Sequence, residues 1–128
     1  MLLWMALIFG ASSLSSDAIE STGAGKASRS APAVVNQVSA HLIEFGVLAA
    51  LLFRALAIQG TLTVSRLWLL VVLATTAYGA SDEFHQAFVP GRYPSWLDIA
   101  YDAAGAVTGS SVALGWAWLR RRVWPPAQ

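Results

Sequence analysis

Three apolar runs, at residues 38–58, 67–89 and 97–119, dominate a chain of only 128 residues. Each is close to the roughly 20 residues that a helix needs to cross a hydrocarbon layer of about 30 Å. A segment in lipid must satisfy its own backbone N–H and C=O groups, and a helix does so within one segment. Composition agrees: 56% of residues are hydrophobic and 12% charged, against about 25% charged in soluble domains. A fourth run, residues 1–14, is apolar but short and lacks the basic start of a signal peptide. It reads as a first transmembrane helix whose beginning is missing. The expected fold is all-α: a single membrane domain over 1–128, built as a transmembrane bundle of about four helices.

The same figures exclude several classes. Disorder requires a polar, charge-rich chain. With no cysteine, a disulfide framework, a thiolate zinc site and a cysteine nucleophile are all ruled out. A net charge of +1 supplies no basic face for nucleic acid. Between the runs, residues 15–32 are rich in Ser, Ala and Gly and read as a flexible loop. Residues 59–66 form a short turn. Residues 90–95 form a rigid connection, because Pro90 and Pro94 fix φ and Gly91 permits a bend. Ser95 is placed to cap the last helix. Arg54, Arg66 and Arg120 to Arg122 gather at one side of the predicted spans, with Trp116, Trp118 and Trp124 as an interfacial anchor. The positive-inside tendency then puts both termini in the cytoplasm, in a multi-pass arrangement.

Charges inside apolar spans are costly and usually face a bundle interior or a wet cavity. Here they gather at one depth. His41 and Glu44 lie near the outer end of the second run, and Asp82, Glu83, His85 and Gln86 near that of the third. Asp98 and Asp102 lie near the outer end of the fourth, and Arg92 sits on the loop between. One shared, outward-opening polar pocket is the economical expectation. Successive helical residues advance about 100°, so His41 and Glu44 share a face, as do Asp82 and Gln86. Glu83 lies about 100° from Asp82, so at most one of those acids is expected to point directly inward. Asp98, Asp102, Gly105 and Gly109 form one stripe, whose G-x-x-x-G lets another helix approach closely.

These residues carry a resemblance. Tyr78-Gly79-Ala80-Ser81-Asp82-Glu83-Phe84-His85-Gln86-Ala87-Phe88-Val89-Pro90-Gly91-Arg92, followed by Ser95-Trp96-Leu97-Asp98 and Gly105 to Gly109, resembles the signature of VanZ-like proteins. That pattern is Asp-Glu-x-x-Gln, then Phe-x-Pro-Gly-Arg, then an Asp opening the last helix. His41-x-x-Glu44-Phe45 is similar to the family's His-x-x-Glu-Tyr, and the run from Leu3 to Ser13 to its first helix. Asp102 stands where the family commonly has Asn. The resemblance implies a small multi-helix membrane protein of the cell envelope, in a family whose namesake is associated with resistance to the glycopeptide teicoplanin. It implies no reaction.

The pocket candidates include five carboxyl groups, Glu44, Asp82, Glu83, Asp98 and Asp102, against one fixed positive charge, Arg92. Such an excess needs an offset: protonation, a bound cation, or some acids turned out to water, with Asp82 and Asp98 the nearest to the interface. Arg92 is expected to pair with Glu83 or Asp98 through its planar fork. Gln86 is expected to bridge the third helix to the fourth or to a ligand. The His and acid side chains suit zinc or manganese by type, but Asp-Glu-x-His is no diagnostic spacing, so no metal and no cofactor is assigned. For His41, a hydrogen bond to Glu44 or to another helix is expected instead. Besides the bilayer, the partners to expect are a lipid, a wall precursor or an amphiphilic antibiotic. Two functions compete. One is a binding protein of the envelope; the other is an enzyme acting on a lipid-linked substrate with a carboxylate–histidine site. Oligomeric state and catalysis are open at this level.

Overall fold

The computed structural model describes residues 1–14 and 33–123. They form helices α1 (Leu2–Ser12), α2 (Ala33–Ala57), α3 (Val64–Gln86) and α4 (Trp96–Val123), with no strand among them. The expected loop at 15–32 and Trp124 lie outside the described residues. Leu67, Val71 and Thr75 of α3 recur every four residues and are buried together with Gly79, Asp82 and Gln86. This is the stripe spacing of a helix against a core. The α2–α3 turn bends at Gly60 and the α3–α4 connection at Gly91, with φ of 65° and 77°, values that glycine adopts without steric cost.

The centre of the bundle is Ala49 and Phe53 of α2, Leu67 and Val71 of α3, and Ala106 of α4. A second cluster, Ile8, Phe45 and Leu48, docks α1 with help from Trp4, Met5 and Tyr78. Two hydrogen bonds fix that docking: Trp4 Nε1 donates to the Glu44 carbonyl at 2.9 Å, and Tyr78 Oη to the Met5 carbonyl at 2.8 Å. The tightest approach is between α2 and α4. A Cβ on Gly105 would lie 2.7 Å from the Leu42 carbonyl oxygen and 3.1 Å from the Gly46 nitrogen, and one on Gly109 would collide with the Gly46 backbone. Gly105 and Gly109 thus form a backbone-to-backbone seam with α2.

The distribution of polarity is inverted relative to a soluble bundle. Leu3, Leu7, Ile43, Leu51, Leu69, Leu73 and Val112 are exposed, while Ser12, Asp82, Glu83, Gln86, Asp98 and Asp102 are buried. Two helical stretches, Gln37–Ala57 and Val64–Gln86, are long and apolar enough to cross a bilayer. Among the described residues that is two, where four spans are expected. At 11 residues, α1 covers about 16 Å, roughly half the hydrocarbon layer. Helix α4, at 28 residues, is long enough, but Asp98, Asp102 and a run of Gly, Ser and Thr make it less apolar.

Candidate functional site

The C-terminal ends of α1 and α3 and the N-terminal ends of α2 and α4 meet at one end of the bundle. The polar candidates collect there, in two groups on either side of α3.

The first group joins α2, α3 and α4. His41 Nδ1 lies 2.7 Å from Asp102 Oδ1, and its Nε2 is 3.8 Å from Asp98 Oδ2. Asp98 Oδ2 accepts from Gln37 Nε2 at 2.7 Å. Glu83 Oε2 accepts from the Ser95 backbone N–H at 2.8 Å, which pins the start of α4 to the end of α3. One donor atom each from His41, Glu83 and Asp98 lies within 4.8 Å of the other two. Glu83 is 3% exposed and Asp102 1%, and each keeps one buried oxygen, Oε1 and Oδ2, without a hydrogen-bond partner.

The second group joins α1 to α3. Asp82 accepts from Ser12 Oγ at 2.7 Å and from Gln86 Nε2 at 3.0 Å. His85 Nε2 lies 3.1 Å from Ser13 Oγ, and its ring stacks on Phe9 with centroids 4.3 Å apart. Glu44 stands between the groups, half-buried, with His41, Asp82, Asp102 and Arg92 as its charged neighbours.

Four sequence-based expectations need correction. Asp82 and Glu83 are both buried, not one in and one out, because α3 is flanked by α1 on one side and α4 on the other. Two directions 100° apart are therefore both interior. Neither Asp82 nor Asp98 is turned out to water: Asp82 faces α1, and Asp98 is covered by Gln37 and His41 of α2. Gln86 does not bridge to α4; it bonds Asp82 one turn back in its own helix. Arg92 makes no ion pair with Glu83 or Asp98. Glu83 takes the Ser95 N–H instead, and Arg92 Nε is buried without a partner. The hydrogen bond expected of His41 runs to another helix, through Asp102.

Two participants escaped the sequence reading. Gln37 lies one turn before His41 on the same face of α2, so its spacing was a usable signal. Gly79 makes room for Asp102: a Cβ there would lie 3.0 Å from both Cβ and Cγ of Asp102 and would collide with its Oδ2. Nothing in the spacing of α3 separates that glycine from an ordinary packing one.

Beside Glu83 a groove of about 310 Å³ runs between α3 and α4, lined by Ala80, Phe84 and Ala87 on one side and by Pro94, Trp96 and Ile99 on the other. Trp96 is 88% exposed at its rim.

Among the described residues the chain is an all-helical bundle with a lipophilic exterior, two helices long and apolar enough to cross a bilayer, and a buried carboxylate–histidine cluster at one end, an architecture compatible with a small helical membrane protein. A family model described as VanZ/LLP1 matches residues 1–119, and the chain belongs to that family. No curated protein and no solved structure shows a significant match to it.

Proposed function

We propose that this VanZ-like protein is a multi-pass protein of the cell membrane that binds an amphiphile, a lipid or a wall precursor, in the groove beside Glu83, and so alters susceptibility to glycopeptides such as teicoplanin. The observation that carries the reading is the position of Glu83. Its carboxylate is buried and half-satisfied, and it lines a groove that is apolar apart from Glu83 and Ser95. Ligand sites are typically concave and mostly apolar, with a few fixed polar groups. An acyl chain would lie along Phe84, Ala87 and Ile99, and hydroxyl or amine donors of a head group would meet Glu83. Trp96 at the rim suits the boundary between hydrocarbon and head groups.

Photo-crosslinking tests this. Full-length protein in nanodiscs is irradiated with a diazirine-bearing phospholipid, and the labelled peptides are mapped. Labelling concentrated on 80–87 and 94–99, and reduced by Glu83→Gln and Trp96→Ala, supports the reading. Labelling spread evenly over all exposed apolar faces overturns it. A second reading, an enzyme acting on a lipid-linked substrate, is favoured by the His41–Asp102 pair beside Glu83, an arrangement suited to proton transfer. Comparison of lipids and wall precursors in a deletion strain and its complemented parent separates the two. An unchanged profile counts strongly against the enzyme.

A further inference from the structure

We propose that His41, Glu83 and Asp98 bind one divalent cation, zinc or manganese, where α2, α3 and α4 meet. The donor atoms lie within 4.8 Å of one another. Metal–ligand bonds of about 2.0–2.2 Å place neighbouring donors about 3–3.5 Å apart. Closing the set takes an adjustment on the order of an ångström, within reach of side-chain rotation.

The hydrogen bonds leave the correct atoms available. Asp102 occupies His41 Nδ1 at 2.7 Å and leaves Nε2 towards Asp98, too far at 3.8 Å for a hydrogen bond. A carboxylate on the second ring nitrogen is the usual support of a metal-bound histidine, because it fixes the tautomer and makes the ligating nitrogen more basic. Ser95 occupies Glu83 Oε2 and leaves Oε1 buried and unpartnered. Gln37 donates to Asp98 Oδ2, the oxygen nearest His41 Nε2, and leaves that carboxylate oxygen its second lone pair for a metal.

Charge points the same way. Glu83, Asp98 and Asp102 are all buried, and Arg92 makes no ion pair with any of them among the described residues. A dication offsets that excess inside a bundle where water cannot. One imidazole with two carboxylates matches zinc or manganese, whereas magnesium and calcium favour oxygen alone. The set is assembled from three helices, which is why Asp-Glu-x-His did not reveal it. His85 stands apart, on Ser13 and Phe9.

The metal alone tests the proposal, with no lipid ligand required. Full-length protein carrying no histidine tag is stripped with EDTA in detergent and titrated with zinc chloride, and separately with manganese chloride. Saturation at one ion per chain is expected. The chain has two histidines, so a ¹⁵N-histidine-labelled His85→Gln variant reports His41 alone; zinc should move its Nε2 resonance and leave Nδ1 protonated. Glu83→Gln should weaken binding at least tenfold. Asp102→Asn, acting through His41, should weaken it about 10–100-fold. No saturable site for either metal, an unmoved His41 imidazole, or Glu83→Gln binding as tightly as the parent would each overturn the proposal. Should Glu83→Gln fail to fold, stoichiometry and the imidazole shift in the parent and in His85→Gln still decide.

Discussion

His41 of α2 and Asp102 of α4 are joined by a 2.7 Å hydrogen bond, and the far oxygen of Asp102 sits in the notch left by Gly79 of α3. This one contact ties three helices at the depth where their polar groups concentrate. Asp102→Ala should therefore lower stability by about 1.5–3 kcal/mol, the range for a hydrogen bond to a charged partner. Asp102→Asn keeps an acceptor and should cost less. Thermal unfolding in detergent, followed by helical circular dichroism, ranks the two. Equal stability of Asp102→Ala and the parent would remove the contact from the list of stabilising interactions.

The seam between α2 and α4 predicts a contrast among glycines. Gly109→Ala should impair folding, since its Cβ has no room beside the Gly46 backbone, and Gly105→Leu should do so more severely. Gly115→Ala meets nothing within 4 Å and should be neutral or stabilising by up to about 1 kcal/mol, the helix preference of Ala over Gly. Size-exclusion profiles of fluorescent fusions read this directly. A well-folded Gly105→Leu protein would contradict the seam.

Helix α1 is held through Ser12, Trp4 and Tyr78. Ser12→Ala strands one oxygen of Asp82 in a buried place and should loosen α1 by about 1–3 kcal/mol. Amide exchange should rise across residues 2–12 and stay unchanged at the α2–α4 seam. A uniform rise would mean that α1 is not a separable unit.

Topology gives the last prediction. Reporter fusions after Arg122 and within 59–63 should report the cytoplasm, and one at Gly91 the opposite side, because the basic residues at span ends cluster with the first two. The reverse pattern would invert the bundle and place the groove at the inner leaflet.

The length of the apolar runs and the position of charges within them made the helices and the depth of the polar layer readable in advance. The apolar runs located α2 and α3 to within a few residues, and the 98–102–105–109 stripe marked the face of α4 that meets α2. Partner choice was not readable, because it depends on how each helix is turned against two neighbours at once. Asp82 and Glu83 differ by one residue, yet one serves α1 and the other α4. Arg92 looked like the natural partner of Glu83, but the chain had already supplied a closer donor, the backbone N–H of Ser95. Gly79 carries no side chain from which its role could be guessed.

The glycine seam also has a mechanical consequence. Two helices touching backbone to backbone have no side-chain slack between them, so α2 and α4 behave as a single stiff plate. The groove beside Glu83 is bounded by α3 on one wall and by the start of α4 on the other. Its width is therefore set by how the last turns of α3 lie against the start of α4, and the Glu83–Ser95 hydrogen bond holds those two walls together. Any change in that width is then a matter of one helix edge and one hydrogen bond, not of a loosening of the bundle.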